Sequence, residues 1–396
     1  MTSHTESATK VISSQIIGLD VLRLVAATIV VLYHFGFWHF TAVDDTLINH
    51  IAPSAAATFM SLSHFGWVGV EIFFVISGYV IAYSAHNTTP QRFAWGRVLR
   101  LLPGVWICAP IAFVVYYLVF GRPLDELVPS LIRTLTLFPL FSAIDGVYWT
   151  LGIEVSFYVM IFIMLRQGWG RFIGTFAAVL GVISLLFWLT YFVLTTAFPS
   201  GIIYDLSNKA GGFRPFQLLL VQHGCFFALG IMLKTWRDSG FEVRQLSPMI
   251  LPMLACWMEI VAQNGIIERA SLLRLSPVPA LALWTGAFAL CAASLFFNEH
   301  LVVMFRRHLG SIRRVGLMTY PLYLIHNPVG LAAIIFALSF TNIYLALALG
   351  IAMAFVAALI VSLGIEPAIQ TALRNKMPNL FGANKPSAPQ NERDKE

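Results

Sequence analysis

The chain has 396 residues, of which 58% are apolar and only 11% charged, with a formal net charge of +6. A water-facing domain carries about 25% charged residues, so this composition, with its mean hydropathy of +0.78, excludes a soluble globular protein. The basic residues lie in short clusters between apolar runs, which argues against a nucleic-acid surface and fits topology signals.

In chain order, a polar, Ser/Thr-rich stretch (1–15) precedes the first apolar run. That run carries Arg23 and lacks a small-residue cleavage pattern, so it reads as a retained helix, not a secretory signal peptide. A spanning helix needs about 20 mostly apolar residues. On that rule helices are predicted near 17–38, 66–84, 101–120, 148–165, 172–196, 216–234, 248–264, 279–297, 316–336 and 342–366. Segment 126–142 is also apolar and fits a partly immersed or interfacial position. The expected class is an all-α integral membrane protein of about ten helices. It comprises a polar N-terminus (1–15), one transmembrane domain (16–367) and a disordered, solvated tail (368–396).

Orientation follows from Lys and Arg placement. With the N-terminus inside, cytoplasmic segments hold 18 basic residues and outer segments 6, leaving out Arg23 within the first helix. The positive-inside rule then places both termini in the cytoplasm. Cys108, Cys225, Cys256 and Cys291 all fall in apolar stretches without CxxC spacing, and read as small apolar packers.

An ionisable group inside a spanning helix costs roughly 2.5–3.5 kcal/mol on insertion scales, so buried ones mark candidate sites. Arg23 and His34 are eleven residues apart in the first helix, almost three turns, which puts them on one face about 16 Å apart along the axis. His34, with an unperturbed pKa near 6.5, suits proton abstraction from a hydroxyl. A snorkelling Arg23 and a packed, hydrogen-bonded His34 fit the pattern equally well. Glu71 in the second helix and Trp149 and Glu154 in the fourth fall near their outer ends, where either acid could orient His34. Each also fits an interfacial carboxylate. His326 and Asn327 fall near mid-membrane in the ninth helix, and His223 at the outer start of the sixth reads as interfacial. Arg97 and Arg100, at i and i+3, can grip phosphates or simply anchor topology.

Taken together, five segments in order resemble the acyltransferase 3 family of integral membrane O-acyltransferases. They are Arg23-x10-His34, GWVGVEIFFVISGY, Arg97-x-x-Arg100 with Pro103, YWTLGIEVSFY and TYPLYLIHNPV. The resemblance implies transfer of an acyl group, most often acetyl, from cytoplasmic acyl-coenzyme A to a sugar hydroxyl. The acceptor would be an exopolysaccharide, O-antigen, nodulation factor or lipid-linked saccharide at the bacterial inner membrane. It implies catalytic roles for Arg23 and His34, with Glu154, Glu71 and His326 as candidate partners. Arg97, Arg100 and Trp149 are implied at the donor site, and no metal is expected. The sequence departs from the family in two places: Thr150 stands where Ser is common, and Asn327 where an aromatic residue is common. The chain's end soon after the tenth helix implies a stand-alone enzyme without a fused hydrolase-like domain. The alternative reading is a non-enzymatic transporter or flippase of glycans or lipids, although the chain lacks the paired internal repeats common in transporters.

Overall fold

In hydrocarbon every backbone N–H and C=O must be satisfied within the segment, so apolar runs of this length become helices. The computed structural model describes residues 15–41 and 53–376, and no β-strand occurs among them. Nine of the described helical segments are long and apolar enough to cross a membrane: Ile17–Phe40, Ala57–Ala85, Pro90–Leu118, Gly146–Arg166, Trp169–Ala197, Val243–Ser271, Val278–Phe296, Leu309–Leu338 and Ile343–Asn375.

The helices that position the site are α1 (Ile17–Gly36), α2 (Gly69–Ala85), α3 (Pro90–Leu118), α4 (Leu124–Leu135), α5 (Trp149–Arg166), α6 (Ile173–Ala197), α7 (Gly224–Asp238), α8 (Ile250–Ser271), α9 (Val278–Phe296), α10 (Leu309–Ile325), α11 (Leu331–Leu338), α12 (Ile343–Ile360) and α13 (Glu366–Asn375). Helix α2 lies at the centre, against α1 and α7. Its contact with α7 is backbone to backbone. A Cβ on Gly78 would stand 2.2 Å from the Phe227 carbonyl oxygen, and one on Gly230 would stand 2.1 Å from that of Val75. Small residues permit such close approach where no hydrophobic effect drives helices together. Gly78→Val should therefore destabilise the domain by at least the 1–3 kcal/mol typical of overpacking, read as a lower thermal midpoint in detergent.

Three expectations, for the sixth helix, the third helix and the tail, need correction. The sixth predicted helix, 216–234, is interrupted. A short helix Arg214–Leu218 ends at Leu220, whose φ of 59° breaks the ladder, and α7 restarts at Gly224 with 15 residues. That is shorter than a spanning helix needs, and α7 is a shortened element whose residues 224–233 are all buried. The third helix starts eleven residues earlier than predicted, because Thr89 caps it through the Arg92 N–H and Pro90 occupies its first turn. Segment 126–142 contributes the short amphipathic α4, lying against α3. The predicted tail is not disordered from residue 368. After a π-helical stretch, Val361–Ile365, α13 packs beside α3 with Glu366 buried and runs to Asn375. Residues 1–14 and 377–396, and the expectations made for them, lie outside the described residues.

Candidate functional site

Four cavities follow one another through the bundle, each sharing wall residues with the next. The first, about 510 Å³, is lined by Arg23, Arg97, Arg100, Arg313 and Arg374, with Asp20 the carboxylate among them. Asp20 Oδ1 accepts from Arg23 at 3.1 Å and lies 3.8 Å from Arg313. No ion pair engages Arg97 or Arg100 among the described residues. Their guanidinium groups lie 5.8 Å from the Tyr158 ring and 4.9 Å from the Tyr320 ring, respectively, and Arg97 Nε is buried without a hydrogen-bond partner. Five cations facing one carboxylate make a vestibule suited to a polyanion.

Arg23, Arg97 and Arg100 also border the second cavity, a waist of about 100 Å³. Glu154 stands here, accepting from Ser77 Oγ at 2.6 Å and from the Tyr158 hydroxyl. It makes no hydrogen bond to His34, which borders a different cavity. The expectation that Glu154 orients His34 is thus not met: one turn along α5 carries its carboxylate away from the histidine, toward the arginines. Tyr323, whose hydroxyl contacts Thr150 Oγ1 at 3.1 Å, borders both the waist and the third cavity.

The third cavity, about 390 Å³, is lined by His34, His39, Asp145 and Asn327 on one side. His34 ends α1, and His326 opens a π-helical turn, His326–Gly330, between α10 and α11. Pro328, lacking an N–H, cannot continue the ordinary ladder there. His326 Nδ1 approaches the carbonyls of Leu322 and Tyr323 at 3.2 and 3.0 Å. Carbonyls only accept, so the His326 proton sits on Nδ1 and its Nε2 is an acceptor. His34 Nδ1 lies 3.2 Å from that Nε2 and 3.0 Å from the Val30 carbonyl, so it must be the donor. The neutral His34 therefore keeps its lone pair on Nε2, the atom left for a substrate.

Beside the two histidines, His39 Nε2–H donates to Asn327 Oδ1 at 3.2 Å, and Asn327 Nδ2 donates to Asp145 Oδ1 at 3.2 Å. Asp145 also accepts from the Tyr116 hydroxyl at 2.7 Å and the Val147 N–H at 3.0 Å. This network supplies the carboxylate of the histidine cluster. Of its residues only Asn327 was noted from sequence. Asp145 also caps the short 3₁₀ turn Gly146–Tyr148 that leads into α5.

Glu71 borders the same cavity as His34 but faces His223 and Glu259. His223, expected at the interface, is fully buried, because the break before α7 turns it inward. Glu259 was missed, although an acid in mid-helix carries the same insertion cost as the residues that were noticed. Trp149 was expected with the donor arginines. Its ring instead lies 5.6 Å from that of His223, and its carbonyl accepts from Arg214 at 2.9 Å. It separates the third cavity from the fourth, a space of about 690 Å³ bordered by Arg122, Arg133 and Arg214. Arg122, Arg133 and Arg214 are three of the six basic residues expected outside, with Lys209, Arg269 and Arg274, whereas Arg97, Arg100, Arg313 and Arg374 of the vestibule are among the 18 expected inside.

The chain matches the family model described as an acyltransferase domain over residues 16–366. A Bacillus subtilis (strain 168) protein named "Putative peptidoglycan O-acetyltransferase YrhL" is 27% identical over 240 residues, covering 54% of this chain. The match spans only 33% of that relative's length. No solved structure matches the chain significantly. With the matched region running from the first helix to the start of α13, the chain belongs to the acyltransferase 3 family of integral membrane O-acyltransferases.

Proposed function

We propose that this protein moves an acyl group, acetyl by preference, from cytoplasmic acyl-coenzyme A to a sugar hydroxyl of a surface or exported glycan at the bacterial inner membrane. The observation that carries this reading is the order of the cavities: an arginine-lined vestibule in which Arg97 and Arg100 make no ion pair, a narrow waist, then His34 with a bare Nε2. Phosphates of the donor bind Arg97 and Arg100, with Arg23 and Arg313 completing the cationic wall. The thioester arm threads the waist past Glu154 and Tyr323, whose tightness favours a short acyl chain. The 18-to-6 basic bias supports a cytoplasmic vestibule and both termini inside. The relative's printed acceptor, peptidoglycan, supports a carbohydrate for the wide fourth cavity.

His34 Nε2 removes the acceptor hydroxyl's proton as the oxygen attacks the thioester carbonyl. The new C–O bond forms, the C–S bond breaks, and the departing thiolate takes the proton from the imidazolium. The Val30 carbonyl and His326 hold the imidazolium's other N–H, and Asp145 supplies a compensating charge through the neighbouring network. Asn327→Leu removes the link between His39 and Asp145. Turnover is expected to fall about 2–13-fold, as loss of one net hydrogen bond implies, with the donor KM unchanged in steady-state assays.

The deciding experiment is transfer from labelled acetyl-coenzyme A by purified protein in detergent, with soluble glycan fragments as acceptors. Acetylated glycan and stoichiometric free thiol are expected. A protein that neither binds nor consumes acyl-coenzyme A, yet moves labelled glycan across proteoliposomes, belongs to the transporter alternative.

A further inference from the structure

Across the chamber from His34, three groups converge that the transfer reaction does not use. Glu71 lies in the first turn of α2, His223 just before α7, and Glu259 midway along α8. Glu71 is 3% exposed and the other two are 0% exposed. One ligand atom from each falls within 4.8 Å of the others. His223 Nδ1 and Glu259 Oε1 are in ion-pair contact, yet neither makes a hydrogen bond, and Glu71 Oε2 and His223 Nε2 also have no hydrogen-bond partner. Buried polar atoms without partners are costly and uncommon, and here Glu71 Oε2 and His223 Nε2, both without one, gather beside the buried His223–Glu259 pair.

We propose that Glu71, His223 and Glu259 form a binding site for a divalent transition-metal ion, of the Zn²⁺ type, in the wall of the central chamber. Two carboxylates and a neutral imidazole around a divalent ion sum to zero charge, which suits a group sealed inside a membrane domain. One nitrogen with carboxylate oxygens is a borderline donor set that fits Zn²⁺. Ca²⁺ and Mg²⁺ prefer all-oxygen shells, which the His223 nitrogen does not suit. Three protein ligands also leave a fourth position, and Glu71 and His223 both border the chamber into which it would open. The surroundings hold the ligands in place. Cys225 Sγ donates to the other Glu259 oxygen at 3.5 Å, and the Phe74 and Trp149 rings flank His223 at 5.5 and 5.6 Å.

The test is metal content, which is read without substrate and so stands or falls separately from acyl transfer. Tag-free protein, purified in detergent without chelator, is stripped, given Zn²⁺, desalted and assayed by mass spectrometry. About one ion per chain is expected, with a thermal midpoint that rises on Zn²⁺ return. Glu259→Gln and His223→Gln are expected to weaken retention at least about tenfold and to abolish the thermal shift. Wild-type protein that retains no Zn²⁺ overturns the proposal, as does unchanged retention in folded variants. If the variants do not fold, X-ray absorption of the wild-type Zn²⁺ form decides. One imidazole with oxygen ligands is expected. Two or more imidazoles, or thiolate sulfur, place the ion elsewhere and overturn it.

Discussion

His34→Ala is expected to lower kcat for acyl transfer by about 10²–10⁴-fold, the range a positioned general base contributes. Donor affinity should stay within a few-fold, because His34 borders the third cavity and the arginines border the first. Equilibrium binding of a non-hydrolysable coenzyme A thioether, measured beside turnover, separates the two. His326→Gln tests the proton assignment further. Glutamine can still accept from His34 Nδ1 through its amide oxygen, so it should retain more activity than His326→Leu. The leucine leaves the His34 donor with only the Val30 carbonyl. Equal activity in the two variants would count against a hydrogen-bonded role for His326. Near wild-type turnover in His34→Ala would remove His34 from the chemistry.

Arg97→Ala and Arg100→Ala should act on donor binding instead. A hydrogen bond to a charged group contributes about 1.5–3 kcal/mol, so each substitution should raise the donor Kd by about 10–150-fold. The effect should shrink in high salt, because the vestibule is wide and its far wall is exposed at Arg313. A short acyl thioester lacking phosphates gives the sharper comparison. Its turnover, low in wild type, should be nearly unchanged by either substitution if the arginines serve the phosphates. Lysine at either position should recover only part of the affinity, since an ammonium cannot present two parallel donors to one phosphate. Equal losses with both donors would instead point to a structural role for these arginines, such as their packing on Tyr158 and Tyr320.

Much of the membrane plan was legible in the chain itself. Hydrocarbon demands long apolar helices, and runs of the required length can be counted, so eight of the ten predicted helices correspond closely to described segments. The two that shifted did so for local reasons that hydropathy does not weigh: a cap at Thr89 and a left-handed residue at Leu220. Arg97 and Arg100 could be paired by their spacing alone, and the fold brings Arg23 to the same cavity.

The partners of the central residues could not be read in this way. Spacing along α1 puts Arg23 and His34 on one face, but it is silent about which helix faces them. Glu154 and Asp145 are nine residues apart and equally plausible as partners of a histidine. The geometry joins Asp145, in the extended residue before Gly146–Tyr148, to the histidine cluster and Glu154, on α5, to the waist. Likewise the proton on His34 is set through His326, whose own proton is held by two carbonyls of the last turn of α10. Glu71, His223 and Glu259 come from three separate helical regions, 152 and 36 residues apart, and no pattern within any of them announces the other two. Composition and run length, being local and additive, determined the membrane domain. Which buried polar groups meet depends on helix rotation and packing, and only the tertiary structure decided that.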